Sequence, residues 1–430
     1  MRYTPIAFLL AATIGLAACA NTGTGANASA DASTDAASPS HTMGATHGTT
    51  DATAAPTDAG AGDAGVDSAA ANLRTDLDYV LGEHIILASK ATGAALGGRQ
   101  DEFEAYGALL NTNGTDIGEM IGSVYGDDAR DQFNQIWSAH NGFFVDYTTG
   151  VASGDQAMAD KAVDDLTTIY VPDFSAFISG ATGLPEEAVA ELTTAHVTQT
   201  KAIVDAQAAG DWETAYAAIR EAYAHMQMIG DAVASGIVDQ NADAIDGDPA
   251  TAGADLRVAL DQLLQEHLYL ATFATGAALD GRNDEFAAAG AALNENGTDI
   301  GAAIGSLYGD DARDQFNQIW SAHNGFFVDY TTGVATDDQA MADKAVEDLT
   351  TVYVPQFAEF LAGATDLPED TLADLTSEHV VSTKDVVDAQ ASGDASAAAE
   401  ADRTAAQHMR MIGDPLAAAI VEKLPDQFAG

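Results

Sequence analysis

Eight of the ten histidines in this 430-residue chain form two sets of four, His84, His140, His196 and His225, then His267, His323, His379 and His408. Each member stands 183 residues from its counterpart. Neutral imidazole is the commonest side-chain ligand for transition metals, so four on neighbouring helices can form a donor set. Met226 and Met228 accompany His225, and Met409 and Met411 accompany His408. Imidazole with thioether is a soft-to-borderline combination that suits copper better than calcium or magnesium. Zinc is served by three or four imidazoles, and Glu83, beside His84, can orient a ligand or add an oxygen. Haem held by two axial histidines is a further alternative, without covalent attachment, since no Cys-x-x-Cys-His run exists. The Glu-x-x-His pairs of di-iron carboxylate sites are missing. The competing reading is a structural polar layer, each buried ring bonded to a carbonyl or carboxylate and fixing helix register.

Convergence depends on the elements that carry these rings. Leu73-Arg74 recurs at Leu256-Arg257, Glu83-His84 at Glu266-His267 and Pro172 at Pro355, and Tyr125–Ala152 is identical to Tyr308–Ala335. The chain is therefore duplicated, with copies at 72–240 and 255–424 joined by a linker over 241–254. Within copy one, Phe133, Ile136, Trp137, His140, Phe144, Tyr147 and Val151 fall at spacings of three and four, the stripe of an amphipathic helix. Leu73, Leu77, Val80, Leu81, His84 and Leu87 make another. Gly97-Gly98, Gly126-Asp127, Ser153-Gly154-Asp155, Gly183-Leu184-Pro185 and Gly210-Asp211 end one helix and cap the next. Six helices per copy follow, near 73–97, 99–125, 127–152, 155–180, 185–209 and 211–239, with Asn113-Gly114 loosening the second and Pro172 kinking the fourth. No segment alternates with a period of two. The expected fold is all-α, two tandem antiparallel helical bundles.

In copy one the histidines sit near the middles of the first, third, fifth and sixth helices. Short loops make neighbouring helices antiparallel, so their midpoints share one level of the bundle. At about 1.5 Å of rise per residue, small boundary errors move a ring only a few ångströms. His84 and His140 lie on apolar stripes, and His196 on a thinner one with Val189, Leu192 and Ile203. The last helix is ambiguous. Its apolar line of Ile219, Met226, Ile229 and Val233 turns Met226 inward, with His225 about 100° away. Either His225 with Met228, or Met226 alone, faces the centre, unless the stripe is broad enough to admit both.

The remaining composition narrows the setting. Sixteen basic against 66 acidic residues give a formal charge of -50, which argues against nucleic-acid partners that need clustered Lys and Arg. The single cysteine, Cys19, rules out an intramolecular disulfide framework and cysteine-rich metal sites. Met1-Arg2 precedes an apolar run, Ile6 to Ala18, that is short for a membrane span and ends in Leu16-Ala17-Ala18-Cys19. That ending resembles the lipobox of bacterial lipoproteins. The resemblance implies cleavage before Cys19, acylation of its thiol and a lipid-anchored protein of the cell envelope facing the periplasm or exterior. From residue 19 to 71 the chain is nearly all small and acidic residues, the composition of a disordered tether, with His41, Met43 and His47 as incidental candidates for metal capture.

A second resemblance covers each whole copy. Ile121-Gly122-Ser123-Val124-Tyr125-Gly126, Gly142-Phe143-Phe144-Val145-Asp146-Tyr147-Thr148 and Arg220-Glu221-Ala222-Tyr223-Ala224-His225-Met226 look like the helical domain of bacterial exported proteins labelled copper-amine-oxidase-like. It implies copper and an extracytoplasmic location. It implies no amine oxidation, because no Asn-Tyr pair for a modified tyrosine occurs. Nor does the chain hold a recognisable nucleophile motif, and its glycine-rich segments follow helices rather than strands. The sequence therefore predicts a lipid-anchored copper-binding bundle protein with one His/Met site per copy and identifies no active site. A tethered structural or protein-interaction module and a redox enzyme or haem sensor are the alternatives; any protein partner is unspecified.

Overall fold

The computed structural model describes residues 65–429; the expected signal segment, Cys19 and most of the expected tether, with His41, Met43 and His47, lie outside the described residues. Among the described residues there are helices and no strand. Copy one consists of α1 (Ala69–Leu96), α2 (Gln100–Tyr125), α3 (Asp127–Ser153), α4 (Gln156–Asp165), α5 (Val171–Thr182), α6 (Glu186–Ala209) and α7 (Trp212–Gln240). Copy two repeats them as α8 (Ala252–Leu279), α9 (Asn283–Tyr308), α10 (Asp310–Ala335), α11 (Gln339–Asp348), α12 (Val354–Thr365), α13 (Glu369–Ser392) and α14 (Ala395–Lys423). No helix among the described residues is long and apolar enough to cross a membrane.

The boundaries follow from capping chemistry. Ser68 and Thr251 accept the backbone N–H of Ala71 and Ala254, and Asp155, Asp211, Asp338 and Asp394 do the same for α4, α7, α11 and α14. Between α2 and α3 the chain turns on Gly126 at φ 87°, ψ 174°, repeated at Gly309, a conformation open in practice only to glycine.

Three local expectations are corrected. Residues 65–71, read as the end of a disordered tether, are ordered: Ala70 and Ala71 are fully buried, and the Ala70 N–H donates to the Asp246 carbonyl. Asn113-Gly114 does not loosen α2, which runs through both; Asn113 is wholly buried, and Gly114 lets Trp137 pack where a Cβ would lie 2.7 Å from its ring. The expected kink at Pro172 is replaced by a π-helical turn, Leu166–Tyr170, joining α4 to α5. Its wider i→i+5 bonding, with the Val171 N–H reaching the Leu166 carbonyl, absorbs the disturbance of a proline that cannot donate. Copy two repeats the device at Leu349–Tyr353.

The two copies share one continuous apolar core. Helix α1 packs on α2, α3, α6 and α7 of its own copy and on α8 of the other. The crossings α2 with α14 and α7 with α9 are exchanged when the copies are exchanged, as a pseudo-twofold arrangement requires. That is why α1 is buried nearly all round, including Asp78, Glu83 and Lys90. Gln262 and Gln265 on α8 donate to the carbonyls of Asp78 and Tyr79 at 3.0 and 3.2 Å. Arg403 of α14 grips Glu83 through two bonds of 3.0 Å and also pairs with Asp116; Arg220 of α7 grips Glu266 at 2.9 and 3.2 Å. At one seam Lys90 pairs with the fully buried Asp402 at 2.8 Å and bonds Thr272; the counterpart positions are Phe273 and Ile219.

Candidate metal centre

Helices α1, α3 and α6 each bring one histidine to the middle of copy one. His84, His140 and His196 are buried, and one ligating nitrogen of each lies within 4.8 Å of the others. His267, His323 and His379 form the same cluster on α8, α10 and α13. The ring centroids are 5.4, 5.9 and 5.6 Å apart in copy one and 5.5, 6.1 and 5.5 Å in copy two. The Nε2 atoms of His140 and His196 stand 3.4 Å apart, and those of His323 and His379 3.3 Å. Bonds of about 2.0–2.1 Å from one ion, at tetrahedral to trigonal angles, put ligand nitrogens roughly 3.3–3.6 Å apart. Each triad can hold a metal ion.

Aromatic rings fix the imidazoles. Trp137 lies 4.6 Å from His84 and 5.1 Å from His140, centroid to centroid. Phe144 meets His140 edge-on at 5.4 Å. Tyr170 stacks on His140 at 4.4 Å and 27°. Trp137, His140 and Phe144 are one helical stripe. Tyr170 arrives from the π-turn, so the backbone irregularity beside Pro172 positions a wall of the site. Trp320, Phe327 and Tyr353 repeat the enclosure around His323.

The electrostatics favour neutral rings. Burial pushes His84 down to about 4, with Asn113 opposing the shift. It pushes His196 to about 3, aided by the charge His84 would carry, and His379 also to about 3. His140, His267 and His323 are held well below the usual histidine range for the same first reason. The Nδ1 atoms of His84, His140, His196, His267 and His323 are buried without a hydrogen-bond partner. Neutral rings, each with one unprotonated nitrogen, gathered around one point are the state a cation requires.

The other expected ligands are placed elsewhere. His225 and His408 stand outside the triads; their Nε2 atoms bond the carbonyls of Leu192 and Leu375 at 2.9 and 3.0 Å and so tie α7 to α6 and α14 to α13. Met226 and Met409 are buried in the core, Met226 beside a small gap that His196 also lines. Met228 and Met411 are 57% and 60% exposed and are corrected from ligands to surface residues, because the inward face of their helices is taken by Met226 and Met409. Glu83 does not add an oxygen to the cluster. Its carboxylate is held by Arg403 and by Asn113 at 2.9 Å, on the side facing copy two. The donor set is therefore three imidazoles with no carboxylate among them. Tyr170 and Tyr353, stacked on His140 and His323, are the surroundings of the triads that helical periodicity missed; a proline inside a helix was the only signal.

No family model, curated protein or solved structure matches this chain.

Proposed function

We propose that each copy binds one copper ion, in the cuprous state, through His84, His140 and His196 or through His267, His323 and His379. The observation that carries this reading is the convergence of three neutral nitrogens in a buried, aromatic chamber without an anionic ligand. Desolvation cost rises with the square of the charge, so a monovalent ion suits such a chamber better than a divalent one, whose charge nothing nearby balances. Imidazole serves both copper and zinc, but a zinc site would retain its full double charge there. A porphyrin finds no slot between rings packed this closely, which counts against haem. The lipobox-like run ending at Cys19 and the resemblance to exported copper-linked helical domains support a role in metal capture or buffering at the cell envelope.

Anaerobic titration of the purified chain with copper(I), against a chromogenic chelator and with elemental analysis, tests the proposal. Two copper ions per chain are expected, one after His140→Ala and none after His140→Ala with His323→Ala. A folded chain that retains no stoichiometric metal after dialysis overturns it and leaves the histidines as a register-fixing polar layer.

A further inference from the structure

The triad of copy two is the floor of a chamber. A cavity of about 240 Å³ is lined by α8, α9, α10 and α13, from the buried His267, His323 and His379 to residues exposed at the surface, among them Asn283, Val328, Thr332 and Ala335. Ala274, Phe286 and Phe327 supply apolar wall, and the polar contribution is hydroxyl or amide, such as Thr275 and Asn324. None of its lining side chains is an acid, a lysine or an arginine. On a chain with a formal charge of -50, a surface-connected recess free of charged groups is selective by construction. It removes the hydration of any ion that enters and returns no countercharge, whereas an uncharged molecule loses little on entry. Its size also sets a limit: an apolar cavity of about 150 Å³ holds benzene, so this one admits a single ring with small substituents.

We infer that this chamber is a binding site for a small uncharged molecule of about one ring, which turns a lone-pair atom towards the imidazole triad. The apolar half of the inference stands on the cavity alone. The lone-pair half rests on the metal reading above, because three imidazoles leave a trigonal ion with an open side, and the chamber is where a further donor reaches it.

Benzene and pyridine separate the two halves, being alike in shape and differing in one nitrogen lone pair. The metal-free full-length chain is titrated with benzene and followed by NMR. One equivalent is expected to bind in the chamber, and Ala274→Phe, which fills it, removes that equivalent. Ala271→Leu, at a half-buried position on the same wall, serves as the second variant, with circular dichroism confirming that both fold. The copper(I)-loaded chain should then bind pyridine at least tenfold more tightly than the metal-free chain, while benzene binds both alike. Absence of benzene uptake, or uptake unchanged in both filled variants, overturns the inference whatever the metal does. A chain that demonstrably holds copper yet shows no pyridine gain overturns the lone-pair half. Benzene uptake by a chain that takes no metal refutes the metal reading and the lone-pair half with it, and supports the apolar site.

Discussion

Replacing His196 by leucine should make the metal-free protein more acid-tolerant by an amount that can be worked out. The free histidine in an unfolded chain titrates near 6.5, and burial holds His196 at about 3 in the folded one. A depressed basic group favours folding fully above its unfolded value and loses that contribution as pH falls, because the unfolded state takes up the proton first. At pH 5 the unfolded ring is almost wholly protonated and the folded ring is not. The linkage integral between pH 7 and pH 5 is then about 2 kcal/mol against the folded state. His84, at about 4, and His379, at about 3, contribute similarly, so these three rings together withdraw about 6 kcal/mol, a large part of a typical domain's stability. His140, His267 and His323 act in the same direction. Asp78 and Asp261 act in the opposite sense: burial first, then the charges of Asp231 and Asp414, raise them well above the usual carboxylate range, so they relieve strain as pH falls. Absolute pH profiles therefore mix the two groups, and a double difference isolates the ring. Urea denaturation of wild type and His196→Leu at pH 7 and pH 5 should show the variant gaining about 2 kcal/mol relative to wild type on acidification. An unchanged difference between the two pH values would refute the buried, neutral state on which the donor geometry depends.

Three further outcomes follow from contacts between and within the copies. Arg403→Met strands the buried Glu83 carboxylate and should cost about 3–5 kcal/mol in urea denaturation, with much of it restored by adding Glu83→Gln. Lys90→Met alone should cost a similar amount, while Lys90→Met with Asp402→Leu should be neutral or stabilising by about 1–4 kcal/mol, read from the same transitions. Asp337 holds φ 55° where copy one has Gly154 at φ 70°, so Asp337→Gly should raise stability by about 0.5–1 kcal/mol in thermal unfolding.

The helical class, the duplication and three of the four histidines per copy were legible because each rests on a short-range rule: periodicity, capping, or equal height on antiparallel rods. His225 failed for a reason that periodicity carries only weakly. A residue about 100° from the apolar line sits at the edge of the buried face, where a backbone carbonyl such as that of Leu192 can claim it. The all-round burial of α1 was hidden differently. Its stripe from Leu73 to Leu87 was read within one copy, whereas Tyr79, Gly82, Glu83 and Lys90 also meet Gln265, Arg403 and Thr272 of the other copy, 182 to 320 residues away, which no local window contains. The π-turn was likewise out of reach, since Pro172 signals a disturbance without saying which helical geometry will absorb it.

The unequal seams decide which halves can associate. Were copy one to pair with its own kind, every Lys90 would meet Ile219 and keep its charge without an answer. Were copy two to do so, every Asp402 would meet Phe273. Only the mixed couple settles both contacts, so separate molecules are discouraged from trading halves, and each chain is left to close upon itself.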